Sequence, residues 1–175
     1  TAKIYVYDWD PSTNTLTLVG GAAKTLQGVS NAYGIALDET RGRLYVGDAS
    51  TTVVRWFDIT DFDLASIPVA GSVDLAAEGQ TVEGIAVDSV RNNLYTGNAF
   101  SSAGSLGKLV KYDLDTDTIS AYTLPGAATG DNIVGIAVDE DTGNVFATTG
   151  NQASGGSDTL IVFDSGLNVL RNDIG

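Results

Sequence analysis

The chain has no cysteine, no histidine and no methionine, and only 3 prolines in 175 residues. Without cysteine there are no disulfides, no thiolate metal ligands and no thiol nucleophiles. Without histidine the commonest general base and metal ligand is missing, which excludes every Ser-His-Asp scheme. No apolar run approaches the ~20 residues that a bilayer-spanning helix needs, so membrane insertion is not expected. No charged-then-apolar leader opens the chain. With methionine absent too, the sequence is expected to start after processing or to be part of a longer product.

Positive charge is scarce as well. Lys and Arg number 9 against 22 acidic residues, giving a formal charge of −13. A surface of that sign repels nucleic acid and anionic membranes, so neither is an expected partner. It suits first a soluble, self-repelling protein, and as the lesser alternative one that binds cations in bulk or tolerates salt. A hydrophobic fraction of 43% is ordinary for a folded chain, and 1–175 is read as a single domain with a sizeable core. Absent cysteine together with abundant Asp, Gly and Thr suits an extracellular or cell-surface location.

What the sequence does contain is one phrase written three times: "YGIALDETRGRLYVGDA" from Tyr33, "EGIAVDSVRNNLYTGNA" from Glu83 and "VGIAVDEDTGNVFATTG" from Val134. The Gly-Ile-Ala element starts at Gly34, Gly84 and Gly135, a period of about 50 residues. After the second strand-like run comes a third, "VVRWFD", "LVKYDLD" or "LIVFDS", and then a weaker fourth. Turns rich in Gly, Asp, Asn and Thr separate the runs, and no segment holds a helical apolar spacing beyond two turns. "DLAAEG" at Asp74 is the nearest approach to a helix.

Four short strands per unit, the first small and apolar, is the pattern of a β-propeller blade. The expected fold is therefore all-β, with four-stranded antiparallel blades whose inner strands begin near Gly34, Gly84 and Gly135. The aromatic of each third strand should pack between blades. The Asp that follows it should accept backbone N–H groups in the next turn. The segment "IYVYDWDPSTNTLTLVGG" matches only the third and fourth strands. The count is thus about three and a half blades: a half-blade over 1–30 and blades over about 31–80, 81–131 and 132–175.

The phrase "GIAVD…NNLYTGNA…LVKYD" resembles the blades of NHL-repeat and related YVTN-type propellers, across nearly the whole chain. The resemblance implies the fold. For function it implies either a non-enzymatic platform for protein binding or assembly, or part of a calcium-dependent, lactonase-like hydrolase or lyase with its catalytic residues on other blades.

An arc of blades has two raw ends, each exposing a wall that a neighbour should cover. Either further blades of a longer chain cover them, or other copies do, as a homo-oligomeric ring or an open filament. Ile4, Val6 and the strand from Leu160 to Phe163 are expected at those contacts.

Site candidates are few, and no catalytic residue is assigned. Asp113, Asp115 and Asp117 alternate like the start of an EF-hand calcium loop. Thr118 stands where that loop needs Gly and Leu124 where it needs Glu, so an ordinary acidic turn is the competing reading. Glu83 precedes the second Gly-Ile-Ala, where the family resemblance implies an acidic ion ligand, yet Tyr33 and Val134 hold the matching positions. Asn31 and Asn132 are expected to bond backbone at the entry to their strands. "NQASGGSDT" at Asn151 lacks the Lys and the following helix of a phosphate cradle. No Asn-x-Ser/Thr sequon occurs.

Overall fold

A computed structural model describes residues 1–78, 81–99, 107–124, 131–151 and 159–174. The chain is all-β. Its first strands are short: β1 (Lys3–Ile4), β2 (Tyr7–Asp10), β3 (Thr15–Leu18) and β4 (Lys24–Leu26). The first repeat contributes β5 (Ala32–Asp38), β6 (Arg43–Asp48), β7 (Val53–Asp58), β8 (Ser66–Ile67) and β9 (Gly71–Asp74). The second contributes β10 (Thr81–Asp88), β11 (Asn93–Ala99), β12 (Lys108–Asp113) and β13 (Ile119–Thr123). The third contributes β14 (Asp131–Asp139), β15 (Asn144–Asn151), β16 (Thr159–Phe163) and β17 (Val169–Ile174).

Each repeat forms a four-stranded antiparallel sheet, ordered β5-β6-β7-β9, β10-β11-β12-β13 and β14-β15-β16-β17. The inner strands start two to four residues ahead of the Gly-Ile-Ala glycines, and a register shift stands at each start: between Ala32 and Ile35, Val82 and Ile85, Ile133 and Gly135. The turn that follows uses the same chemistry every time. Asp38, Asp88 and Asp139 accept the backbone N–H of Arg41, Arg91 and Asp141 at 2.9, 2.9 and 3.1 Å. Gly42, Asn92 and Gly143 then take φ of 63°, 56° and 78°, a conformation that Gly and Asn adopt at least cost. The polar letters "ETRGR", "SVRNN" and "EDTGN" are thus one turn written three ways. Among the described residues helix is confined to three short 3-10 turns, one of them at Ala76–Glu78 within "DLAAEG".

Alternation along the strands gives every blade two apolar walls. Tyr45, Val54 and Val73 of the first blade meet Val82, Ile85, Leu94 and Val110 of the second. Tyr95, Leu109 and Leu124 of the second meet Ile133, Val145, Ile161 and Phe163 of the third. Glycine sets how closely the sheets approach. A Cβ on Gly34 would lie 2.3 Å from the carbonyl oxygen of Glu83, and one on Gly97 would lie 2.3 Å from that of Ile133. Polar ties reinforce the contacts at the hairpin tips: Arg41 pairs with Asp115 at 3.2 Å, and Glu140 accepts from the Ser89 main chain and hydroxyl at 2.7 Å.

The half-blade is more broken than its sequence suggests. The expected single strand "IYVYDWD" is divided into β1, paired with β4, and β2, paired with β3 as a hairpin. The expected fourth strand is β3, and β4 is a further strand beyond the segment that matched. β4 also pairs β8 in parallel, so the first blade lends a strand outward. Ala2, Ile4, Leu26, Val29 and Ile67 close this unit over Leu44, Val46 and Phe57 of the first blade. Its junction with β5 is held by Asp48, a fully buried carboxylate that accepts from the backbone N–H groups of Ser30, Asn31 and Ser50. Burial alone would raise its pKa; those bonds outweigh it and hold the carboxyl below its ordinary range.

Main-chain nesting predicts an unequal response among the glycines. Gly34→Ala and Gly97→Ala must push two backbones apart, at a cost of about 2–3 kcal/mol and a Tm drop on the order of 5–10 °C. Gly135→Ala meets only the rotatable Thr148 hydroxyl of its own blade, at 2.7 Å, and should cost less than about 1 kcal/mol. Thermal melts of the three variants check this.

Candidate functional site

The three alternating aspartates do fall together, in the turn between β12 and β13, but each carboxylate is already engaged. Asp113 accepts from the N–H groups of Asp115 and Thr116, both at 2.9 Å, and these bonds, led by that of Thr116, hold it below the ordinary carboxylate range. Asp115 turns back to Arg41 at 3.2 Å and to the Asn92 amide at 2.6 Å. Asp117, at φ 56°, takes the Tyr112 hydroxyl. Asp10 and Asp164 close their own turns in the same way, accepting the N–H groups of Ser12 and Gly166 at 2.8 and 2.9 Å. Among the described residues no group of three or more acidic side chains is placed to hold a metal ion.

Glu83 differs from these. Its Oε2 is buried and has no hydrogen-bond partner, and burial pushes its carboxyl above the ordinary value. Its backbone oxygen faces Gly34 of the neighbouring blade, so the residue is positioned by the nesting of inner strands. Tyr33 and Val134, at the matching positions, are exposed. Of the two asparagines, Asn31 is tied through its main chain, its oxygen accepting from Ala49 at 2.9 Å, while Asn132 is buried. The Gly-rich stretch after Asn151 lies outside the described residues.

The most prominent surface feature is apolar. Ile35 is 58% exposed and Leu37 49%, whereas Ile85, the equivalent of Ile35 one blade on, is 7% exposed. The half-blade covers the outer strands of the first blade and leaves its inner strand bare. Tyr5, Tyr7, Trp9 and Leu16 are also exposed on the half-blade itself. Expectations about end contacts need correcting by this geometry. Ile4 packs inside the core under the half-blade, and Ile161 and Phe163 point back to the second blade. Period-2 alternation sends Leu160 to the free side instead, where it is exposed. The open wall of β5 carried no motif. Its signal was the missing pair of inner strands ahead of Ala32, which marks the equivalents of Ile85 and Val87 as uncovered.

The buried carboxyl of Glu83 fixes the sign of a pH effect. A raised folded-state pKa means that stability is fully present below the ordinary value of 4.5 and is lost as pH rises through the folded value. Glu83→Gln should therefore melt higher than the parent at pH 7, with the gap closing toward pH 4. Millimolar calcium should leave the parent Tm nearly unchanged. A site with Kd a hundredfold below the free ion would add about 2.7 kcal/mol, a rise of several degrees. Such a rise, abolished by Asp115→Asn or Glu83→Gln, would contradict the reading of these carboxylates as structural.

No protein-family model and no curated protein sequence matches the chain. In three dimensions it is similar to hydrazine synthase of Kuenenia stuttgartiensis, over 98% of its own length and 43% of that chain, with a TM-score of 0.65 and 14% identity. It is also similar to a chain of a nidogen/laminin complex, over 98% of its own length and 76% of the other, with a TM-score of 0.55 and 16% identity. The chain thus spans less than half the length of the hydrazine synthase chain. At these identities the likeness is one of fold, and with the sheet order above it establishes a partial β-propeller: three blades and the outer half of another.

Proposed function

We propose that this chain is a non-enzymatic, extracellular, NHL-like propeller module that binds protein through the bare inner wall of its first blade. The observation that carries the reading is the exposure of Ile35 and Leu37 where their equivalents are buried by a neighbouring blade. Exposed apolar patches of this kind mark interaction sites. The structural neighbour from a nidogen/laminin complex supports the class, since that propeller is found in a protein complex. The contacting protein supplies strands to the incomplete blade, from a longer chain or from another subunit. A second reading, a hydrolase or lyase completed by further blades, is favoured by the unpartnered Oε2 of Glu83.

Photo-crosslinking in the protein's natural setting tests the first reading. A benzoylphenylalanine at position 35 should give polypeptide adducts, and one at Val90, an exposed turn residue, should not. Adducts from position 90 alone, or none from 35, would contradict it.

A further inference from the structure

The two complete blade contacts share a size rule. At the first, Gly47 of β6 faces Val82 at the start of β10, and a Cβ on Gly47 would stand 2.7 Å from the Val82 Cγ1. At the second, Gly97 of β11 faces Ile133 of β14, and a Cβ there would stand 2.7 Å from the Ile133 Cγ2. A glycine on the second strand of one blade thus admits a β-branched residue of the next. The residue in the Val82 and Ile133 place on the bare wall is Ala32, as the ladders show: Ala32 pairs Asp48 as Val82 pairs Asn98 and Ile133 pairs Thr149. Ala32 is small and exposed. A glycine opposite it would leave a void.

Ile4 of β1 packs into the cluster that includes Leu44 and Val46 of β6, the strand next to β5. Among the described residues β1 has β4 as its one ladder partner and β2 has β3. Each of these strands therefore has one edge without a ladder. An unpaired edge next to an uncovered apolar wall is a slot for added strands.

We propose that this slot takes an antiparallel pair of strands from polypeptide outside residues 1–175, and that the pair is selected by size. Its inner strand carries Gly-x-Ala toward β5, as Gly34-x-Ala36 and Gly84-x-Ala86 do toward their neighbours. Its second strand carries an aromatic residue and, two positions on, a residue larger than glycine to fill the space over Ala32. This proposal rests on the protein-binding reading and names what binds. The chain holds one example of the pattern: Gly135-x-Ala137 on β14 with Phe146-x-Thr148 on β15. Thr148 pairs Leu160 in the place where Gly47 pairs Val54 and Gly97 pairs Leu109. An intact second copy does not fit, because its β16 and β17 would enter the volume held by β1–β4, where Leu26, Val29 and Ile67 are buried. Continuity with the two internal contacts points to a strand pair alone.

The probe is a synthetic peptide of residues 131–151, added to the whole chain and followed by titration and amide exchange. Saturable 1:1 binding is expected, with new protection at the amides of 3–10. Ala32→Val should weaken it by about tenfold, and a T148G peptide should restore binding to that variant. Ala32 is exposed, so the variant should keep the parent Tm, which a melt checks first. Absence of saturable binding to the parent chain, indifference to Ala32→Val, or failure of the T148G peptide to rescue would each overturn the size rule. Chain dimers that Ala32→Val disrupts, without peptide binding, would assign the slot to a second copy and likewise overturn it. Adducts from position 35 without peptide binding would leave the protein-binding reading standing and remove only the strand pair.

Discussion

Inner strands of adjacent blades meet main chain to main chain, and the rest of the molecule depends on that approach. Gly34 against the carbonyl of Glu83, Gly84, where a Cβ would lie 3.0 Å from that of Val134, and Gly97 against that of Ile133 are three such points. Once the sheets are drawn together there, alternation alone directs Tyr45 and Val54 into one interface and Tyr95 and Leu109 into the next. Each blade contact then buries aromatic and branched side chains worth about 1.5–3 kcal/mol apiece. No blade could bury those residues by itself, so stability is shared between neighbours, as in other repeat arrays.

The same dependence explains the ends. A blade covered on both sides has nothing left to offer, whereas the first blade is covered only over its outer strands. The half-blade contributes Ile4 and Leu26 to that cover and stops where inner strands would begin. Ile35 and Leu37 face water because of this. The aspartates at the strand ends have a different duty. They close turns through main-chain N–H groups, which is why an acidic sequence produces so many engaged carboxylates and, among the described residues, no cluster placed to hold a metal.

Much of this was legible in the sequence. Three Gly-Ile-Ala phrases at a steady spacing determine the blade count, the inner strands and the turn that follows each one. Residues whose role depends on a distant partner were not legible. Asp115 reads as part of a calcium loop until Arg41, 74 positions away, is found beside it. Ile4 reads as an end contact until β4 and β8 close over it. Ala32 reads as any small strand residue, and its meaning comes from comparison with Val82 and Ile133 across folded interfaces. The division of "IYVYDWD" into two strands was also invisible, because its alternation is continuous and the break at Tyr5–Val6 follows from what pairs beside it.

Native-state hydrogen exchange, resolved by strand, tests the central claim most directly. If nested walls carry the stability, the second blade, covered on both sides, should exchange slowest, at or near the global unfolding free energy. The first and third blades should be intermediate, and the hairpin of β2 and β3 should be fastest by orders of magnitude. Equal protection across all three blades, or a first blade slower than the second, would contradict an architecture held together by contact between neighbours.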